Sequence, residues 1–244
     1  MSKVHLTKRM QAVCDLIKDS RTVCDVGCDH GFVPIYLVKE RAFTSALAMD
    51  INEGPLAAAG INIEMNGVAD KVKIRLSDGL KMLLPGEAEA IVIAGMGGRL
   101  IVRILEDDLP KISDKLFGIK ELILQPQSEL LYFRKSVRDM GFVCEAEDMV
   151  LEDGKYYPMG RYVYKGVKAS DDDDMAVGLY DKYGQHLLEN KNEVLRMYLE
   201  KEKKSIEGIV ESLNNASDSD ERVKRLAEVK EAAALNELAL KYFE

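Results

Sequence analysis

Between residues 22 and 139 the chain alternates short, continuously apolar runs with stretches whose apolar residues recur at helical spacing, and no other feature limits the fold as tightly. The runs are TVCDV (22–26), SALAMD (45–50), KVKIRL (71–76), AIVIAG (90–95) and ELILQP (121–126). Periodicity predicts helices over 5–19, 32–40, 53–66, 98–106 and 129–139, with a short helical turn after residue 76. Strands that lack an in–out alternation are buried on both faces, so this order predicts an α/β fold with a parallel sheet covered on each side. After residue 141 the pattern changes. Two strand-like runs flank Glu152-Asp153-Gly154-Lys155, and an Asp-Gly pair in that setting signals an antiparallel hairpin.

The stretch ASDDDD (169–174) reads as a linker, dividing the chain into a body of residues 1–168 and a C-terminal region of residues 169–244. In the latter, apolar residues at 188, 195, 199, 206, 209 and 213 form a helical seam, NNASDSD (214–220) breaks it, and a second helix is predicted from about 221 to 242. The expectation is a helical hairpin, coiled-coil-like, with a surface suited to self-association. The body carries 23 Lys and Arg against 24 Asp and Glu, and the C-terminal region 11 against 18. Charge therefore does not announce a nucleic-acid partner, although a local basic face on the body is compatible with one. Four cysteines, at 14, 24, 28 and 144, are scattered through predicted elements, which fits a reduced, cytoplasmic protein better than a disulfide scaffold. No apolar run approaches the roughly 18 residues of a membrane helix, and the N-terminal residues lack a signal-peptide core.

The first strand runs into CDVGCDHGFVP (24–34), which admits three readings: a cofactor loop, a metal site of Cys24, Cys28 and His30, or a plain tight turn. Cys24 falls inside a predicted strand and no C-x-x-C spacing occurs, so no metal is expected. In a doubly wound sheet, ligands bind beyond the carboxyl ends of the strands, where the strand order reverses. Gly27 and Gly31 allow a tight turn beside such a ligand, and their spacing differs from the G-x-G-x-x-G of dinucleotide loops. A cofactor without a pyrophosphate fits better, and S-adenosyl-L-methionine is one. Asp50, at the end of the second strand, would accept from the ribose hydroxyls, and Asp78 from the adenine amine, with Gly79 opening the backbone. Asp25 would face the positively charged amino-acid end. Each carboxylate has an alternative role in capping the helix that follows it.

After the fourth strand comes AGMGGR (94–99), which leaves bare backbone where a methyl donor would lie, with Met96 as the one bulky wall. Alternatively these glycines only bring the next helix close to the sheet. The segments LTKRMQAV, DVGCDHGFVP, DGL, AGMGG, LQPQ and LEDGKYY, in this order, resemble the bacterial tRNA adenine-22 N1-methyltransferases over essentially the whole chain. Five parallel strands closed by an antiparallel hairpin are likewise similar to the class I methyltransferases. The resemblance implies S-adenosyl-L-methionine as methyl donor and N1 of an adenine in the tRNA D-arm region as acceptor.

N1 of adenine carries no proton, so alignment and stabilisation of the charge arriving on the base should dominate the rate. Asp29 is the candidate for the electrostatic role and His30 for orientation, a structural turn being the alternative for both. The expected cofactor set is Asp25, Gly27, Cys28, Gly31, Asp50, Ile51, Asp78, Gly79, Gly95 and Met96. The expected substrate set is Lys8, Arg9, Gly97, Arg99, Gln125 and Gln127, with Arg103 as a further phosphate contact. On the residues alone, a methyltransferase acting on ribosomal RNA or a small molecule stays open. An inactive RNA-binding relative is opposed by Asp50, Asp78 and both glycine loops, and a nicotinamide oxidoreductase by the glycine spacing.

Overall fold

The computed structural model describes residues 4–167, 174–215 and 219–244, so most of ASDDDD and part of NNASDSD lie outside the described residues. Two compact units are present, residues 1–170 and 171–244. In the first, strands β1 (Thr22–Val26), β2 (Ser45–Asp50), β3 (Val72–Leu76), β4 (Ala90–Met96), β5 (Glu121–Pro126), β6 (Phe142–Glu152) and β7 (Lys155–Tyr164) form one sheet of order β3-β2-β1-β4-β5-β7-β6. The first five strands run parallel, and β7 is antiparallel to both β5 and β6. The order reverses between β1 and β4, which pair from Val23↔Ala90 to Val26↔Ile93.

Helices α1 (Lys8–Asp15), α2 (Phe32–Glu40), α3 (Glu53–Met65), α4 (Gly98–Ser113) and α5 (Leu130–Asp139) cover the sheet. Successive strand residues enter different cores. Val23 and Val92 join Ile35 and Ile63, whereas Cys24 and Ile91 join Ile101, Leu105 and Phe133. Burying each such aliphatic side chain stabilises the fold by about 1.5–3 kcal/mol, which keeps the central strands largely apolar, whereas β3, at the sheet edge, exposes Lys73 and carries Arg75.

Two helix ends depart from expectation. Helix α1 stops at Asp15 rather than 19 because the next backbone is captured from outside the helix. The Glu121 carboxylate, 1% exposed at the start of β5, accepts from the Lys18 and Asp19 amides at 3.2 and 3.0 Å and from Ser20 Oγ at 2.7 Å. Helix α4 runs seven residues past 106, through Pro110, to Ser113. Its buried Asp108 accepts from the Leu80 amide at 2.9 Å and faces Lys111 at 3.4 Å, tying the last turns to the segment after β3.

The second unit contains α6 (Asp174–Tyr183), α7 (Gln185–Glu189), α8 (Glu193–Asn214) and α9 (Asp220–Leu240). Helices α8 and α9 pack along each other as a hairpin. The expected seam from 188 to 213 is not continuous. Leu188 belongs to α7, and α8 starts afresh where Asn192 caps it, its Oδ1 accepting from the Val194 and Leu195 amides at 3.0 Å. Leu195, Leu199 and Ile206 are buried, but Ile209 is exposed and Val210 is turned further inward. A helix at 3.6 residues per turn drifts off a strict heptad, and this one does so at its fifth turn. Asn236 of α9, 1% exposed, donates to the Leu199 carbonyl at 3.1 Å and to Glu202 at 2.8 Å, while its own Oδ1 has no hydrogen-bond partner among the described residues. No helix among the described residues is long and apolar enough to cross a membrane.

Candidate active site

The carboxyl ends of β1, β2 and β4 meet at the reversal point, and the loop after β1 is held there by its own backbone. The amides of Gly27 and Cys28 both donate to the Met49 carbonyl of β2, at 2.8 and 3.0 Å. Gly27 has φ +75°, and a Cβ on it would lie 2.3 Å from Met96 Cε, so this glycine admits the Met96 side chain across the strand ends. At Gly31 a Cβ would meet Ala59 of α3 at 3.1 Å, and at Gly79 it would meet Asp108 and Ile104 of α4 at 3.1 Å. Both glycines have positive φ, +71° and +60°, and each lets a loop lie close against a helix, Gly31 against α3 and Gly79 against α4.

Asp25, 4% exposed in β1, is the most unusual charge in the unit. No hydrogen bond to its side chain is found among the described residues. Burial, reinforced by the nearby Asp50 carboxylate, pushes its acid up from 3.8 to about 7. A buried carboxylate without a counter-ion is costly unless a cation arrives. Asp50, also buried, accepts from the Asn52 amide at 2.9 Å, while Ile51 beside it is 59% exposed at the mouth. Asp78 is half-exposed and paired with Lys81, which holds it below the ordinary carboxylate range, and Arg103 stands 3.9 Å away. Arg103, expected on phosphates, thus faces a carboxylate of the expected cofactor set.

Cys24 and Cys28 lie in separate apolar clusters, and burial pushes both thiols up. Asp29, with φ +50°, and His30 are exposed neighbours, Asp29 Oδ1 and His30 Nε2 standing 3.7 Å apart. The His30 carbonyl accepts from Asn62 Nδ2 at 3.0 Å, which ties the loop to α3.

Across the reversal point, β4 ends in a bulge. Ala94 pairs with Gln125 and Met96 with Pro126, leaving Gly95 as the extra residue with φ +83°. A bulge re-aims the backbone locally, and here it leaves Gly95 exposed, where a Cβ would make only ordinary contact with Arg9 Nη1 at 3.6 Å and Gln127 Nε2 at 3.7 Å. Gln125 Oε1, fully buried, accepts from the Gly95 amide at 3.1 Å and from Arg9 Nη1 at 2.9 Å. Arg9 is fixed twice more, its amide donating to Glu152 at 3.2 Å and its guanidinium lying 5.1 Å over the Tyr157 ring. Arg9, Gln125 and Gln127, expected on the substrate side, are brought together around Gly95; Lys8 is exposed on α1.

Gly97 caps α4, and the Gly98 position is closed to any side chain by the Ser128 carbonyl, 2.5 Å from a Cβ. Close packing thus explains Gly98 and not Gly95. Beyond them Arg99 pairs with Glu129 and lies 4.7 Å over the Tyr132 ring. Glu129, Tyr132, Glu152 and Tyr157 were missed from sequence. Glu129 and Tyr132 sit in the segment after β5 and carry no motif, whereas Glu152 and Tyr157 fall within LEDGKYY of the β6–β7 hairpin, more than a hundred positions from Arg9, where the sequence signals a turn and not a site.

A sheet whose order reverses between β1 and β4, with the buried Asp25 and Asp50 carboxylates at that point and a bulged glycine at the end of β4, is the arrangement expected of a class I methyltransferase. Residues 6–159 match the family model described as a methyltransferase domain. The chain is 31% identical over 229 residues to the Bacillus subtilis tRNA (adenine(22)-N(1))-methyltransferase, covering 94% of each. The solved structure of that B. subtilis methyltransferase superposes with a TM-score of 0.80 at 30% identity, over 97% of this chain and 99% of the other. Streptococcus pneumoniae Sp1610, solved in complex with S-adenosyl-L-methionine, gives 0.76 at 31% identity, over 94% of this chain and all of the other. The chain belongs to the bacterial tRNA (adenine(22)-N(1))-methyltransferase family.

Proposed function

We propose that this protein transfers a methyl group from S-adenosyl-L-methionine to N1 of adenine 22 in the D-arm region of tRNA, in the cytoplasm. The carrying observation is the buried carboxylate of Asp25, near Asp50 and without a hydrogen-bond partner among the described residues, because it calls for a cationic ligand at the place where strand order reverses. Asp25, Asp50 and the Gly27–Gly31 loop would hold that cofactor, with Met96 and Ile51 as its apolar walls and Asp78 at the far end. When bound, it supplies an electrophilic methyl group on a sulfonium.

The chain's own residues then orient and stabilise. Gln125 keeps the Gly95 amide and Arg9 in place, so the acceptor base meets a rigid wall. Asp29 stands exposed on the loop between the donor wall and solvent, where a carboxylate stabilises positive charge arriving on the base. Asp29→Ala is expected to lower turnover at least tenfold with S-adenosylhomocysteine affinity changed less than threefold, read by single-turnover kinetics and calorimetry; equal losses in both would remove the role. Lys8 and Arg99 would meet phosphates, which position without reading sequence.

The test is incubation with labelled methyl donor and bacterial tRNA, followed by nucleoside analysis. N1-methyladenosine, lost when adenine 22 is replaced, is the expected product. Label in ribosomal RNA or a small molecule instead would overturn the substrate.

A further inference from the structure

The reacting edge of the base is occupied during transfer, so the acceptor must be held by its faces, and stacking on an aromatic side chain is the usual way. The segment Ala94–Arg99 after β4 contains no aromatic residue. The ring of Tyr157 is already covered by Arg9. Beside Arg99, however, Tyr132 stands in the first turn of α5, 38% exposed. The guanidinium of Arg99 lies over that ring at 4.7 Å and is paired with Glu129. Glu129 caps no helix with its side chain, and both partners are exposed, Arg99 at 69% and Glu129 at 38%.

We propose that Arg99, Glu129 and Tyr132 form a covered stacking site for an unpaired nucleobase of the tRNA: a phosphate of the incoming strand takes Arg99 from Glu129, and the ring of Tyr132 is bared to the base. An exposed ion pair between single charges contributes little, whereas a phosphate offers Arg a bidentate, charge-assisted partner, so the exchange runs downhill on RNA and is reversed without it. The arrangement makes the stacking surface available only when a backbone is present to claim the arginine. This inference rests on the tRNA reading above and adds a specificity-determining residue to it.

The test uses the full chain and a tRNA carrying adenine 22. Tyr132→Leu retains apolar volume and a strong helix former at a partly exposed position, and Tyr132→Phe retains the ring. Tyr132→Leu should lower kcat/KM for tRNA by about ten- to a hundredfold, with S-adenosylhomocysteine affinity and Tm unchanged, and Tyr132→Phe should stay within threefold of the parent. Glu129→Gln, which frees Arg99, should lower KM for tRNA two- to fivefold. A Leu variant within twofold of the parent, a Phe variant as impaired as Leu, or a raised KM in Glu129→Gln would each overturn the stacking site. If the parent chain itself leaves tRNA unmethylated, the tRNA reading fails; if it methylates tRNA and Tyr132→Leu is unimpaired, only the stacking site fails.

Discussion

Replacing Asp25 with Asn is expected to make the protein more stable and a poorer binder of its cofactor. Burial raises the Asp25 acid from 3.8 in the unfolded chain to about 7 in the folded one. Between those values the folded state holds a proton that the unfolded state has lost, so stability declines as pH rises through the window. Above pH 7 the carboxylate is charged and its desolvation opposes folding in full, by up to about 4 kcal/mol at 1.36 kcal/mol per pH unit. Asparagine carries no such charge. Thermal unfolding at pH 8 should show Asp25→Asn more stable by about 1–3 kcal/mol, with the gain fading toward pH 4. Affinity for S-adenosyl-L-methionine should fall about ten- to a hundredfold, as expected for one lost charge-assisted contact. In the parent, affinity should rise with pH through 7, and calorimetry below that pH in buffers of different ionisation enthalpy should detect a released proton. A variant of unchanged stability at pH 8, or one that binds the cofactor as well as the parent, would show that Asp25 is not an uncompensated anion waiting for a cation.

Gln125→Met is expected to damage the opposite wall. The side chain is isosteric but lacks the oxygen that accepts from both Gly95 and Arg9. Removing a buried acceptor that serves two partly buried donors costs about 1–3 kcal/mol, more than a single neutral hydrogen bond because one donor is charged. The bulge at Gly95 would lose its fixed direction, and turnover should fall about ten- to a hundredfold with cofactor affinity little altered. Gln125→Glu restores the acceptor and pairs it with Arg9, so it should recover most of that loss. Pre-steady-state methyl transfer together with chemical denaturation reads both effects. A Glu variant as poor as Met would mean that the amide donor to the Pro126 carbonyl, at 3.1 Å, matters more than the acceptor.

The strands were legible because burial on both faces leaves an unmistakable run: β1, β2 and β5 begin and end where their apolar stretches do. The loop after β1 was legible for the same reason, since polar residues interrupting a buried strand need an explanation. Helix ends were not, because what stopped α1 is Glu121, a side chain about a hundred residues away. The break between α7 and α8 rests on Lys191, at φ +51°, and on the Asn192 cap, a local signal that the apolar seam overrode in the reading. Individual glycines were the hardest to read. Gly31, Gly79 and Gly98 answer to neighbours' bulk and Gly95 to an irregular strand pairing, and spacing alone does not separate these causes.

Asn236 gives the C-terminal hairpin a preferred alignment at the expense of strength. Were α9 to slide by one turn, its amide would leave the Leu199 carbonyl and Glu202, whereas a leucine there has no such partners to lose and would tolerate several offsets almost equally. The unanswered oxygen at this position is therefore the cost of ruling out misregistered hairpins, and the two long helices keep one setting.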